Sequence, residues 1–311
     1  GVAMVFDGYD YMVVSYTMHQ ISAEWALNKV QTGSLSSWSL FGLIVGGMFA
    51  GILSDKIGRR KTLIYSIATY SLLTIPIYFS TGFAQFAVFR VLAGIGLGAC
   101  IPVVTTIFSE STPTAPRALF ITFGMAWMVV GWVLGCLIPT LLVPHHGWRV
   151  CYLIGGVPFL YAVFLYSRMK ESAYWLANKG RKKEAVAILA YIENRATGKA
   201  TLRDPDALIV PPAPKVVGPQ ALFSKEYRML TAGVWITYFC GCFTVYGLNA
   251  WLLSLMMAKG FKLASSYSLA IATNSAAVIA TCTTGFVSEV IGRRPNLIIS
   301  YLLGAVSILL Q

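Results

Sequence analysis

The sequence predicts an all-α integral membrane protein built from a duplicated set of helices. Three observations carry that prediction. Of 311 residues, 57% are apolar and only 12% charged, against roughly half apolar and about a quarter charged in a soluble domain. Apolar runs near the 20 or so residues that cross a bilayer as a helix recur along the chain. A loop motif of 14 residues also occurs twice, 234 positions apart. So few charges could not cover a water-soluble globule of this size. The same composition excludes a disordered chain, a collagen and a disulfide-stapled secreted fold.

The runs lie near 2–21, 33–53, 62–82, 86–108, 118–142, 149–167, 229–255 and 266–288, with another beginning near 296. That makes eight spans and part of a ninth. They lack the period of two that barrel strands show, and helices satisfy their own backbone in lipid. The loops between them divide by charge. One alternating set holds 19 of the 24 Lys and Arg, among them Lys56, Arg59, Arg60, Lys61, Arg117, Arg293, Arg294 and twelve between Arg168 and Arg228; the other set holds four. Basic loops stay in the cytoplasm, so the first helix is expected to run outward and segment 168–228 to be cytoplasmic. The net charge of +12 then reflects topology, and no stacking or groove-reading module points to nucleic acid.

GILSDKIGRRKTLI (51–64) recurs as GFVSEVIGRRPNLI (285–298), with Asp55 matched by Glu289 and Arg59 by Arg293. A repeat in register over this length indicates duplication. The expected units are a six-helix bundle over 1–167, a linker over 168–228 and a partial second bundle over 229–311, with helices seven, eight and the start of nine. The chain opens at Gly1 and ends at Gln311, both inside apolar runs. A piece of a longer protein is therefore expected, about three helices short of a second bundle. Two parallel six-helix repeats enclosing a midplane site are a transporter architecture. In each motif copy the glycine permits a turn, and the acid can pair with the neighbouring arginine or a helix N-terminus. The first copy is expected to form a latch in which Asp55 and Arg59 join Glu110 and Arg117, with Glu289 and Arg293 as its second-half counterpart.

These residues resemble a known family. GILSDKIGRRK is similar to the loop signature of the major facilitator superfamily, FRVLAGIGLGA with Arg90 to its fourth-helix signature, and SESTPTAPRA to its fourth–fifth loop. MKESAYWLANKGRKKEA resembles the helices after its sixth span. Within the superfamily FDGYD, EWALNKVQTGSL and WITYFCGCFTVYGLNAWLLSLM resemble the aromatic acid:proton symporters. The resemblance implies import of a small aromatic carboxylate with a proton across the bacterial inner membrane by alternating access, by a monomer in contact with lipid. A sugar or other organic-solute:proton symporter, or an uncoupled facilitator, of the same fold is the alternative. Sugar symporters share GYD and the fourth-helix arginine but generally lack an acid at the position of Asp7. The fifth helix has Pro139 away from its glycine pair, which favours uniport or symport over antiport.

Asp7 and Asp10 stand one turn apart on one helix face. Counting from the outer end near Ile21 at 1.5 Å per residue puts Asp10 roughly 16 Å deep, close to the midplane. An ionised carboxylate there costs on the order of 3 kcal/mol, so it requires a cation or a proton. Two such acids titrate as a coupled pair. By resemblance Arg90 is the partner of Asp10; it neutralises the carboxylate, or clamps a cargo carboxylate through its planar fork, or does both in sequence. Asp7, Asp10 and Arg90 are thus the expected proton-coupling residues. Tyr9, Trp127, Tyr238, Tyr246 and Asn249, with Arg90, are the expected substrate contacts, because a pocket for a small planar acid needs aromatic walls and few polar groups.

Gly94, Gly96 and Gly98 lie inside a span without a preceding strand, so close helix packing is expected of them and of the pairs Gly42/Gly46, Gly47/Gly51 and Gly131/Gly135. The six cysteines lack zinc spacing. Neither a nucleophile–base set nor a phosphate loop occurs, so no enzyme, metal or cofactor is expected. Residues 204–219 hold five prolines and read as a linker.

Overall fold

The structure is a computed structural model that describes residues 1–112, 117–198, 204–205, 222–261 and 263–309. Among these residues the regular structure is all helical. Helices α1 (Val2–Glu24), α2 (Lys29–Ile57), α3 (Arg59–Thr74), α4 (Phe83–Ser111), α5 (Arg117–His146), α6 (Arg149–Ile154) and α7 (Pro158–Arg168) are followed by the short α8 (Ala173–Asn178) and α9 (Lys182–Thr197), then α10 (Arg228–Ala258), α11 (Leu263–Ile291) and α12 (Arg293–Leu309). The proline-rich stretch 206–219 lies outside the described residues.

Among the described residues, seven stretches are long and apolar enough to cross a membrane: Lys29–Ile57, Arg59–Phe79, Phe83–Ser111, Ala118–His146, Arg149–Arg168, Arg228–Gly247 and Ser265–Ile291. The expected count of eight with part of a ninth is not reached. The 23-residue α1, expected as the first span, and the 17-residue α12 fall outside the seven. Two carboxyl groups and several hydroxyls dilute the apolar content of α1. Those groups, Asp7, Asp10, Ser15 and Thr17, are buried, so neighbouring helices cover the polar residues that would otherwise disqualify it.

The sixth span, expected as one run, breaks between α6 and α7 at Gly155 and Gly156, just ahead of Pro158. The third also changes character: α3 gives way at Thr74 to a tighter 3-10 turn over Ile75–Phe79, where Pro76 has no amide hydrogen to continue the α-helical ladder.

The described chain divides into two compact units, Gly1–Met169 with Tyr267–Gln311, and Lys170–Ser266. Glycines draw the helices of the first together. A Cβ at Gly42 would stand 2.1 Å from the Val91 carbonyl oxygen, at Gly46 2.0 Å from that of Ile95, and at Gly98 2.0 Å from that of Leu43, so α2 and α4 touch backbone to backbone. Gly8 and Gly131 do the same for α1 and α5, against the carbonyls of Met128 and Val5. Gly51 departs from the expected packing role, since a Cβ there would meet nothing within 4 Å.

Turn chemistry fixes the ends. Asn28 and Gln31 form a reciprocal capping box at the start of α2. Gly58 joins α2 to α3 at φ 101°, and its repeat partner Gly292 joins α11 to α12 at φ 86°. Both values favour glycine. In the second unit Leu176, Ala177 and Ala185 form the small core that pairs α8 with α9.

Gly46→Ala is expected to destabilise the bundle by about 1–3 kcal/mol through overpacking, while Gly51→Ala, in open space, leaves it unchanged or slightly more stable. Thermal unfolding of the two variants in detergent checks this; equal melting temperatures would remove the α2–α4 contact from the account.

Candidate functional site

Near the middle of α1 an ion pair is buried in the apolar interior. The Arg90 guanidinium, from α4, donates from Nη1 to Asp10 Oδ2 at 2.9 Å and from Nη2 to the Asp10 carbonyl at 3.1 Å. Its Nε donates to Ser39 Oγ on α2 at 2.7 Å. The whole of Arg90 is inaccessible to solvent, and so is Asp10. Tyr152 of α6 lies under the guanidinium, 6.0 Å from ring centroid to Cζ, a cation–π distance. The second oxygen of Asp10 meets Thr74 of α3, with Oγ1 at 3.2 Å from Oδ1. Side chains from α2, α3, α4 and α6 thus surround the ion pair that Asp10 of α1 makes.

Asp7 stands one turn earlier on α1 and is also buried. It forms no ion pair among the described residues. It lies within electrostatic reach of Asp10, of Tyr70 on α3 and of Cys100 on α4. The Tyr70 hydroxyl is fully buried. One guanidinium therefore pairs with Asp10, all three of its nitrogens are engaged, and Asp7 stands beside Asp10 without a cation of its own among the described residues. In this arrangement each nitrogen of Arg90 already has an acceptor.

The expected aromatic contacts separate. Tyr9 is buried, with its hydroxyl donating to the Cys151 carbonyl at 2.8 Å, so it packs α1 against α6. Trp127 is half exposed, and its indole lies against Gly1, two to three turns of α1 away from Asp10. Tyr238, Tyr246 and Asn249 lie on α10 in the second unit. There Tyr238 is exposed, and the Asn249 amide donates to the carbonyl of Val245 one turn back at 2.8 Å.

The latch residues gather where α2 turns into α3. Arg59 is the hub: Nη1 pairs with Asp55 at 2.7 Å and donates to the Ser54 carbonyl at 3.0 Å, and Nη2 reaches Glu110 of α4 at 3.0 Å. The side chains of Arg59 and Glu110 are each 10% exposed, and that of Asp55 is 73% exposed. Arg117 begins α5, and its side chain lies outside the described residues. A cavity of about 140 Å³ lies beside the hub, between Gly51, Ser54 and Asp55 on α2 and Pro102 and Thr106 on α4. In the second copy Glu289 and Arg293 are both exposed and form no ion pair with each other in this structure. Asn296 donates to Ser288 there instead, at 2.6 Å. Arg60 reaches the Tyr166 carbonyl and covers the Tyr166 ring, tying α3 to α7.

At the opposite end Glu24 closes α1 onto α6. Arg149 pairs with it at 2.7 Å and Trp148 Nε1 donates to it at 2.6 Å. The hydrogen bond from Arg149 is the main cause that holds this carboxyl below its ordinary range.

Ser39, Thr74, Tyr152 and Gly155 were not among the residues expected from the sequence. For three of them a signal existed: Thr74 stands two residues before Pro76, and Gly155 opens a Gly-Gly pair ahead of Pro158, with Tyr152 one turn back.

The arrangement has known relatives. The family model described as Major Facilitator Superfamily matches residues 1–310. A gallate transporter of Pseudomonas putida is 30% identical over 98% of this chain and 68% of its own length. A niacin transporter, NiaP, of Acinetobacter baylyi is 28% identical over 96% of this chain and 67% of its own. The 4-hydroxybenzoate transporter PcaK of Pseudomonas aeruginosa is 32% identical over 83% of this chain and 57% of its own. The chain thus spans about two thirds or less of the length of these relatives. Among solved structures, the xylose transporter XylE of E. coli, in a partially occluded inward open conformation, superposes with a TM-score of 0.73 at 17% identity, covering 94% of this chain and 72% of that one.

Two predictions follow from the ties at the ends of the bundle. Arg59→Gln is expected to cost about 2–3 kcal/mol by stranding the nearly buried Glu110, and Asp55→Asn under about 1 kcal/mol because Asp55 is exposed; melting temperatures of the two proteins decide it. The carboxyl of Glu24 has a lowered pKa in the folded chain, so its tie contributes fully above the ordinary value of 4.5 and is lost as pH falls through the lowered one. Acidification below about pH 4.5 should therefore change Trp148 fluorescence in the parent protein and leave it unchanged in Glu24→Gln.

Proposed function

The chain belongs to the major facilitator superfamily, and from that premise we propose that it carries a small aromatic carboxylate, with a proton, across the bacterial inner membrane by alternating access. The observation that carries the reading is the solvent-free Asp10–Arg90 pair with a second carboxyl, Asp7, one turn away. Structural packing needs only a matched pair. An additional buried acid without a cation is a group that can hold a proton.

The orientation follows the basic loops, with the α2–α3 turn and segment 168–228 on the cytoplasmic side. The bundle over 1–167 and the helices from 229 onward are the two bodies that rock about a midplane site. Asp7, Asp10 and Arg90 couple the proton. Arg90 neutralises Asp10 in the state described above. It becomes available to a cargo carboxylate only after Asp10 takes a proton and releases the fork, because its nitrogens are otherwise committed. Arg59, Asp55 and Glu110 form the cytoplasmic latch, with Arg117, Glu289 and Arg293 entering it in other conformers. Trp127, Tyr238, Tyr246 and Asn249 remain the proposed cargo contacts; Tyr9 serves by packing.

Sequence relatives support the cargo class, since their names give gallate, benzoate and 4-hydroxybenzoate as what those proteins transport. XylE supports the fold alone.

The test is Asp10→Asn in proteoliposomes, with labelled 4-hydroxybenzoate. One proton per substrate lets a pH step of about one unit drive about tenfold accumulation. The parent protein should approach that ratio. The variant should lose accumulation and keep exchange of substrate across the membrane at equal pH. Accumulation retained by the variant rules the mechanism out.

A further inference from the structure

The side chain that shares Asp10 with Arg90 is a hydroxyl, and its geometry suits two protonation states. Thr74 Oγ1 lies 2.7 Å from the Tyr70 carbonyl oxygen and 3.2 Å from Asp10 Oδ1. It carries one hydrogen and two lone pairs. Its hydrogen can point to only one of the two oxygens. Pointed at Asp10, it donates to a carboxylate. Pointed at Tyr70, it turns a lone pair to Asp10 and accepts from a carboxylic acid. Either way Oδ1 keeps a partner in a place without solvent, where an unpartnered oxygen costs about 1–3 kcal/mol.

The surroundings make room for this contact. Thr74 is the last residue of α3 before the 3-10 turn. Gly155, in the break between α6 and α7, faces it: a Cβ there would stand 2.7 Å from Thr74 Cγ2 and 3.5 Å from Asp10 Oδ1. The break in the sixth span thus leaves space for threonine and aspartate to meet. The other groups that face Asp10 are Asp7 and Tyr9 on α1, Tyr70 on α3, Arg90 on α4 and Tyr152 on α6. Ser39 of α2 reaches it through Arg90. The only charged or imidazole residues of α5 are Arg117, His145 and His146 at its ends. None of these groups offers Oδ1 a hydrogen bond, so among the described residues Thr74 alone holds that atom.

We propose that Thr74 is a positioning residue for proton coupling: its hydroxyl reverses between donor and acceptor as Asp10 loses and gains a proton, so that Asp10 can release Arg90 without stranding an oxygen. This rests on the coupling mechanism proposed above and adds to it the residue that allows Asp10 to titrate in place.

The experiment compares Thr74→Val, which keeps the shape and removes the hydroxyl, with Thr74→Ser, which keeps the hydroxyl. Both are reconstituted as the full chain, with labelled 4-hydroxybenzoate as the probe. Thr74→Val should lower pH-driven accumulation about tenfold and retain exchange at equal pH, while Thr74→Ser should retain both. Exchange and accumulation falling together in Thr74→Val would mark a packing role and overturn the proposal. So would full accumulation in Thr74→Val, or a serine variant no better than valine. A second reading needs no transport. The infrared carbonyl band of protonated Asp10, assigned by its loss in Asp10→Asn, should shift in Thr74→Val and hold its place in Thr74→Ser. An unmoved band in Thr74→Val overturns the proposal even if another acid proves to be the cargo. Failure of the parent protein to accumulate 4-hydroxybenzoate, with the band shifted as expected, would count against the cargo class and leave Thr74 in its role.

Discussion

An arginine and an aspartate with no access to water set the terms for the rest of this bundle. Isolated in hydrocarbon, either charge would cost several kcal/mol, and their mutual attraction offsets this only when their remaining hydrogen-bonding capacity is also met. Every helix around the pair serves that end. α2 brings Ser39 to Nε, α3 brings Thr74 to the second carboxylate oxygen, and α6 brings the Tyr152 ring beneath the guanidinium. The glycines between α2 and α4 place the Ser39 and Arg90 backbones near enough for that contact. The break at Gly155 clears the space beside Thr74. Packing and electrostatics are thus one problem here: the close approach of the helices is what lets neutral groups surround the charges.

The two termini of the bundle show a graded version of the same rule. At the α2–α3 turn, Arg59 and Glu110 are both nearly buried while Asp55 faces outward. One guanidinium therefore makes a strong tie to α4 and a weak one along its own helix. At the other end the Glu24–Arg149 pair is more exposed, and Trp148 supplies a further donor. Strength follows burial in each case. The second motif copy keeps the glycine conformation at Gly292 but has exposed Glu289 and Arg293. Among the described residues no acid takes the place of Glu110 beside it. A repeated loop motif therefore yields a latch only where a neighbouring helix presents the counter-charge.

What could be read in the sequence follows from contrast. Asp7, Asp10 and Arg90 stand out because an apolar run makes any charge conspicuous, and Gly58 and Gly292 because the repeat aligns them. Ser39 is invisible by the same logic, and Thr74 is marked only by Pro76 two residues on: a hydroxyl inside a span is ordinary, and only its neighbours in space make it a partner. The first helix falls short of a span's hydropathy for a related reason. Its polar groups are matched by other helices, and hydropathy along one segment cannot register a match supplied by another. The sixth span reads as one run because Gly155 and Gly156 do not interrupt its apolar character, although they interrupt its geometry. Tyr9 illustrates the reverse case. An aromatic residue beside two acids reads as a cargo contact, yet its hydroxyl is committed to the Cys151 carbonyl.

Charge counting within the site links the pieces of the proposed mechanism. Two neighbouring carboxyl groups lie in a region with one guanidinium, which pairs with Asp10. With both ionised, one negative charge is left in a region without water, and an incoming carboxylate would add another. With one proton bound the pair is balanced, and with two the guanidinium has a free fork and a net positive charge that an anion can neutralise. Cargo anion and proton therefore favour each other's binding through the same electrostatic energy, and linkage makes that preference reciprocal. The residue that lets Asp10 pass between these states must be neutral, since a further charge would fix one of them. A hydroxyl that can donate or accept meets this condition, whereas a lysine or a second carboxylate beside Oδ1 would not.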